Sequence, residues 1–349
     1  MRGFTFQGPG RAELTELPDP KPGPGEILLK VESNTVCGTD LRIMRGEKTK
    51  GVHLGVVLGH EASGTVAELG AGVEGYEVGQ LCGVSPIFTC GVCRDCQSGL
   101  ANLCDHARVV GYEVNGGLGE WMVIPEVGVL GGRLVKAPAG LAPEALSLAE
   151  PLACVINGQD QYRVQVGEVV VILGAGPIGL FHLQLAVIAG AGKVIVSDPS
   201  PMRRKVAAEL GATATVDPTS EDLAAVVADA TGGFGANVVV VCIGRPQLVN
   251  DGLNLVCKRG RVSVFAGLAD KGWAEIEANL IHYREITLLG AANSGRRDYE
   301  RAVELLASGR IDGARMVTHR YPLERAAEAI ESVAGGEGIK VAVMPHLEK

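Results

Sequence analysis

Four cysteines crowd one short stretch: Cys90, Cys93, Cys96 and Cys104 have the spacing C-x2-C-x2-C-x7-C. Thiolates this close on a turn, with a fourth returning from a short loop, can close a tetrahedron around one zinc ion. Four sulfur ligands leave no exchangeable position, so a zinc held there is structural. An iron–sulfur cluster or plain buried cysteines are the alternatives. A second signal begins with the apolar run Val169–Leu173, which enters Gly174-Ala175-Gly176-Pro177-Ile178-Gly179. In such a fingerprint the first glycine permits a tight turn and the second lets the backbone approach a pyrophosphate. The third allows close helix–strand packing, and the helix that follows points its first amides at the anion. Asp198 lies 19 residues after Gly179, at the end of a second apolar run. A carboxylate there accepts hydrogen bonds from the ribose hydroxyls and repels a 2′-phosphate, so NAD is expected over NADP. Arg203 and Arg204 follow closely and soften that bias. Cys37, His60, Glu61 and Glu150 are also of metal-ligand type, but they are scattered, and spacing alone does not unite them.

The elements that must position these residues change along the chain. Residues 1 to about 154 carry short alternating apolar stretches, such as Glu26-Ile27-Leu28-Leu29-Lys30-Val31, broken by Gly and Pro, which predicts a β-rich domain with large loops. From Val169 the texture becomes β-branched runs at 169–173, 193–197, 237–241, 261–265 and 285–289, alternating with helical segments at 178–189, 201–210, 220–230 and 247–256. That alternation predicts a doubly wound α/β sheet. The tail predicts helices at 298–308 and 323–333 and a last strand at 340–344.

A chain of 349 residues suits two domains, and 46% hydrophobic with 21% charged residues marks it as globular. Its net charge of −8, the lack of a basic run and only 4% aromatics argue against a nucleic-acid partner. The most apolar stretch, 169–196, is interrupted by glycines, Pro177, His182 and Gln184, so no membrane span is expected. Nine cysteines without an apolar signal core lead us to expect reduced thiols and a cytoplasmic location. Cys82, Cys154, Cys242 and Cys257 sit in apolar stretches and read as small core residues.

Taken in order, Cys37-Gly38-Thr39-Asp40, Gly59-His60-Glu61-Ala62-Ser63-Gly64, the four-cysteine lobe, Ala149-Glu150-Pro151-Leu152 and the glycine fingerprint resemble the zinc-containing medium-chain alcohol dehydrogenases. The nearest branches are the sorbitol and threonine dehydrogenases, and the likeness spans essentially the whole chain. It implies a GroES-like β-rich catalytic domain, residues 1–154 and 295–349, split around a Rossmann NAD-binding domain, residues 155–294. Homotetramers or dimers are implied as well. A second, catalytic zinc is implied on Cys37, His60 and Glu150, with Glu61 reaching the metal directly or through water. Three protein ligands with an open fourth position is a pattern that alcohol dehydrogenases themselves exemplify. Glu150 stands where alcohol dehydrogenases carry a second cysteine, and an oxygen ligand keeps the metal harder and more Lewis acidic. Asp40 matches the partner that orients the ligand histidine, and Thr39 the hydroxyl that takes the alcohol proton. Ile178, Phe265, Ala266, Gly267, Ala292, Asn293 and Ser294 are implied to border the cofactor.

The implied reaction is hydride transfer to NAD from a secondary alcohol of a polyol, sugar, sugar phosphate, cyclitol or amino alcohol. Two departures qualify it. Many relatives carry a histidine three residues after Thr39, where this chain has Arg42. Arginine cannot release a proton, so water or another group serves as outlet, His53 nearby being read as a surface-loop histidine, or Arg42 binds an anionic substrate group. Sorbitol dehydrogenases place an arginine and an aromatic where this chain has Asn293 and Ser294, so sorbitol itself is not expected. Two rival readings remain at this level. A zinc-free quinone or enone reductase of the same superfamily would not need Cys37, His60 and Glu150 together. A non-catalytic nucleotide-binding or metal-binding protein would keep the fold without turnover.

Overall fold

A computed structural model describes residues 1–268, 272–336 and 338–347. The chain divides into two compact units, Met1–Ala153 with Ser294–Lys349, and Cys154–Asn293. Among the described residues no helix is long and apolar enough to cross a membrane.

The first unit is organised by a seven-stranded sheet. Its central strand, Ile27–Thr35, pairs antiparallel with Glu61–Leu69 on one side and with both Trp121–Ile124 and Lys340–Val343 along the other. Ile27, Leu29 and Val31 point into a core with Val66, Val84, Met122 and Ile124, the period-2 alternation expected of a strand with one face inward. Register then does something the hydrophobic pattern does not foretell. Thr35 stands opposite Glu61 on one neighbour and opposite Ala342 on the other. The C-terminal strand is thereby brought beside His60-Glu61, nearly three hundred residues away in sequence.

The second unit is a six-stranded parallel sheet ordered 214–216, 193–197, 169–173, 236–241, 256–264 and 287–290. Numbered within the unit this is 3-2-1-4-5-6, with strand order reversing between Val169–Leu173 and Ala236–Val241; ligands bind outside the carboxyl ends at such a switch point. Both faces are covered, so the strands are continuous apolar runs such as Val238 to Val241, all buried.

The structure differs from the sequence expectations at several element ends. The last strand of this sheet runs Thr287–Gly290, two residues later than its start was expected, because Glu285 closes the helix Ala278–Arg284 in a left-handed conformation with φ 51°. The expected 220–230 helix begins at Leu223, where Asp222 caps it by accepting from the amides of Ala224 and Ala225. Val256, expected to end a helix, begins a strand. Ala214–Val216, too short for a periodic signal, completes the sheet on its outer edge.

Two glycines of the fingerprint are required by the fold itself, each for a different reason. Gly174 adopts φ +108°, which L-residues avoid. A Cβ at Gly179 would lie 1.8 Å from the carbonyl oxygen of Gly174, whereas a Cβ at Gly176 would meet nothing within 4 Å. Gly179→Ala is therefore expected to cost at least ~1–3 kcal/mol through overpacking. Gly176→Ala should leave thermal stability nearly unchanged. Comparison of the two unfolding midpoints checks this, and equal losses would contradict the packing assignment.

Candidate active site

Cys37 caps the helix Gly38–Met44, and Asp40, three residues on, returns its Oδ2 to accept from the Cys37 amide at 2.9 Å. The turn thus fixes a thiol and a carboxylate side by side. Oδ1 of the same carboxylate lies 3.3 Å from Nδ1 of His60, both atoms fully buried. The pair is within ion-pair distance but off hydrogen-bond geometry, and neither atom has a hydrogen-bond partner. Burial works against a charged imidazole here, but Asp40 and then Tyr112 outweigh it and hold His60 well above the ordinary histidine range. With Nδ1 turned to Asp40, Nε2 is left to face a ligand. Cys37, His60 and Glu61 offer ligand atoms that all lie within 4.8 Å of one another. Thr39 joins them, its hydroxyl 3.6 Å from the Cys37 sulfur.

Glu61 is fully buried and already paired. The Lys340 ammonium lies 2.7 Å from both of its oxygens, and the Thr35 hydroxyl donates to Oε2. Lys340 is only 4% exposed. Burial opposes its charge, yet the Glu61 carboxylate, aided by Cys37 and Glu150, keeps its pKa above the usual lysine value. Glu150, in the first turn of the helix Ala149–Tyr162, is buried too but stands outside the set that meets within 4.8 Å. Its field reaches Lys340, Tyr112 and Tyr299. Lys340, Thr35 and Tyr112 are site residues that the motifs did not name. A lysine inside the apolar run Ile339-Lys340-Val341-Ala342-Val343 was the available signal.

The four cysteines converge as their spacing predicts. Sulfur–sulfur distances are 3.6 Å for Cys90–Cys104, 3.8 Å for Cys93–Cys104 and 4.0 Å for Cys90–Cys96. These are tetrahedron edges for sulfur about one metal ion. The backbone amides of Val92 and Cys93 pull the Cys90 thiol down to about 6, while burial first, and the neighbouring thiols next, push Cys96 up to about 12. The set cannot ionise together without a cation, and that is the chemistry of a zinc tetrathiolate. Beside it lies Arg133, 5% exposed, whose Nη2 donates to Thr89 at 3.0 Å while Nε and Nη1 have no hydrogen-bond partner. Burial lowers its pKa, and the fields of Cys96 and Cys104 act in the opposite sense.

In the second unit, Asp198 is 3% exposed and serves the turn itself. Its Oδ2 accepts from the amide of Ala175 and its Oδ1 from that of Ser200, both at 2.8 Å. One lone pair per oxygen remains for a ribose. Arg204 donates to the Asp198 carbonyl and pairs with Asp217, whereas the buried Nε of Arg203 has no partner. Pro177 and Ile178 open the helix after the turn, both half-buried. Asn157 donates to the carbonyls of Ala292 and Asn293, and Asn293 itself has φ 58°. Ser294 is buried at the start of the returning segment. Phe265 and Ala266 both donate their amides to the carbonyl of Val241, followed by exposed Gly267. His182 meets Phe265 edge-on at 4.6 Å; burial lowers its pKa to about 3, so it is neutral, and Tyr162 bonds its Nδ1 at 2.7 Å.

Comparison with known proteins agrees with this geometry. Residues 23–136 match the alcohol dehydrogenase GroES-like domain, and residues 177–308 match the zinc-binding dehydrogenase domain. The chain is 35% identical over 339 residues to L-threonine 3-dehydrogenase of Pyrococcus horikoshii, covering 95% of each. It is 33% identical to D-arabitol-phosphate dehydrogenase of Enterococcus avium, over 100% of this chain and 99% of that protein. A zinc-binding dehydrogenase of Sinorhizobium meliloti 1021, solved bound to NADP, superposes with a TM-score of 0.93 at 34% identity, over 99% of each chain. Two family domains in order, a thiol–imidazole–carboxylate pocket and a four-thiol lobe lead to one conclusion: the chain belongs to the zinc-dependent medium-chain alcohol dehydrogenases, in their polyol dehydrogenase branch, and is an oxidoreductase acting on CH–OH groups.

Proposed function

We propose that this chain oxidises a secondary alcohol in a small polar substrate of polyol type with NAD as hydride acceptor, using Cys37, His60 and Glu150 to hold the catalytic zinc. The observation that supports the reading is the meeting of Cys37 and His60 with Glu61 within 4.8 Å, with Asp40 turned onto the histidine; Glu150 enters the ligand set from the family resemblance and from its buried place in the same charge field. Bound zinc supplies Lewis acidity that lowers the pKa of a substrate hydroxyl, and bound nicotinamide supplies the hydride acceptor. The chain does the rest. Asp40 fixes the imidazole orientation and raises its basicity. Thr39, its hydroxyl 3.6 Å from the Cys37 sulfur, is read as a relay that accepts the substrate hydroxyl proton while passing its own on to water. Lys340 and Thr35 neutralise Glu61, so that it stands close to the ligands without adding a full charge to them. In purified protein about two zinc ions per chain are expected. His60→Ala or Glu150→Ala should remove one of them and lower turnover by more than ~100-fold, beyond the cost of losing an outer partner. Full activity in either variant would refute the ligand set.

NAD is favoured over NADP in this reading because Asp198 holds negative charge at the end of the second strand, where a 2′-phosphate would need to sit. The Sinorhizobium relative was solved with NADP, so the point calls for direct measurement. Asp198→Ser should raise the NADP-to-NAD ratio of kcat/KM by about tenfold or more, the worth of removing one strong charge repulsion. An unchanged ratio would remove Asp198 from cofactor choice.

The four-cysteine lobe is read as the structural zinc site. A zinc tetrathiolate carries a net charge of −2, and Arg133 is the buried cation beside it with two unused N–H groups. Arg133→Met should weaken zinc retention by ~10–100-fold, measured as release to a chromogenic chelator. Arg133→Lys should keep part of the effect, and identical release from all three proteins would show the arginine to be irrelevant to the metal.

A homo-oligomer, tetramer or dimer, belongs to the same reading. A cytoplasmic location does too, supported by nine cysteines that are all free. Relatives that act on threonine and on arabitol phosphate support a polar substrate without naming it.

A further inference from the structure

Beside the Cys37–His60 pocket lies a group of cations that the dehydrogenase chemistry does not use. Arg42 follows Thr39 by three residues on the helix Gly38–Met44, which puts the two on neighbouring positions of one helix face. Its carbonyl accepts from the amides of Glu47 at 2.9 Å and Lys48 at 3.2 Å, folding the next loop back over the end of that helix. The fold-back brings the Lys48 ammonium to 4.8 Å over the ring of Tyr112. That ring meets His60 edge-on at 5.8 Å. A single aromatic thus spans from the metal pocket to the lysine.

Among the described residues Arg42, Lys48 and Lys50 make no ion pair. The acidic group facing Lys48 is Glu113, whose Oε2 already accepts from the Val109 amide at 2.8 Å. Half-buried Lys48 is pulled below the usual lysine value by burial first and by Arg42 next. Like charges gathered at the rim of a partly dry site repel one another unless an anion joins them. Arginine offers a fixed fork of donors and lysine a point charge, a combination suited to a small oxyanion.

We propose that Arg42 and Lys48, with Tyr112 beneath the lysine, form an anion subsite next to the Cys37–His60 pocket, and that the substrate is a polyol-type alcohol bearing a phosphate or carboxylate group. The proposal rests on the dehydrogenase reading above and adds the substrate class. Lys50, on the same loop, adds to the like charge felt by Lys48.

The test is a matched series on the zinc-loaded enzyme with NAD: erythritol, erythronate and erythritol 4-phosphate. At least one anionic member should exceed erythritol in kcat/KM by tenfold or more, chiefly through KM, and the better of the two identifies the oxyanion. In the double variant Arg42→Met with Lys48→Met that advantage should fall below twofold. The charge-keeping pair Arg42→Lys with Lys48→Arg should restore most of it, which excludes a folding defect as the cause. Erythritol turned over as well as both anions, or an advantage that survives the double methionine variant, overturns the subsite while leaving the dehydrogenase reading intact. A second arm measures the rise in unfolding temperature on adding erythritol 4-phosphate. A rise present in the wild type and absent in the methionine variant supports the subsite even if none of the three compounds is oxidised, in which case the polyol reading fails and the subsite stands. No difference between the two proteins in this arm rejects it.

Discussion

Negative charge concentrated in a dry place is the constraint around which the first unit is built. Cys37, Asp40, Glu61 and Glu150 each carry a negative charge when ionised, and Asp40, Glu61 and Glu150 are all buried. In low dielectric such groups repel strongly and are poorly solvated. The fold answers with two countermeasures from its own residues. Lys340 neutralises Glu61, and Asp40 is spent on the Cys37 amide and the His60 ring. What remains is a thiol and an imidazole beside a carboxylate that is already paired, the donor set on which the proposed catalytic zinc rests.

The same logic recurs at the lobe, with different materials. Four thiols within 4.8 Å cannot all ionise on their own, and the adjacent guanidinium of Arg133 is left with two donors unused. One site has a carboxylate pair and a lysine to tune its charge; the other has four sulfurs and an arginine. The first mixes donor types and keeps a hydroxyl, Thr39, 3.6 Å from the Cys37 sulfur. That asymmetry separates the site suited to chemistry from the site suited to holding a loop in shape.

In the Rossmann unit the constraint is space instead of charge. The turn after Val169–Leu173 is so tight that a methyl at Gly179 would overlap a carbonyl oxygen, and Asp198 uses both carboxylate oxygens to hold the amides of Ala175 and Ser200. A carboxylate committed to two backbone donors is held rigidly at the strand end.

The chain itself determined the motifs whose chemistry is local. Cysteines two residues apart must share a turn, a strand that runs into glycines at fixed offsets must turn sharply, and alternating β-branched and helical runs must wind into a parallel sheet. These were legible because each depends on neighbours within about twenty residues. Element ends at Glu285 and Leu223 were not, since a left-handed cap and an aspartate cap shifted them against the apolar pattern. The pairing of Glu61 with Lys340, the reach of Tyr112 from His60 to Lys48, and the seat of Arg133 beside the thiols were decided only in three dimensions. Each joins segments that sequence keeps apart, through strand register and loop return. The physical reason is that hydrophobic period fixes which face of a strand is buried, whereas the identity of the strand across from it is settled by the packing of the whole sheet.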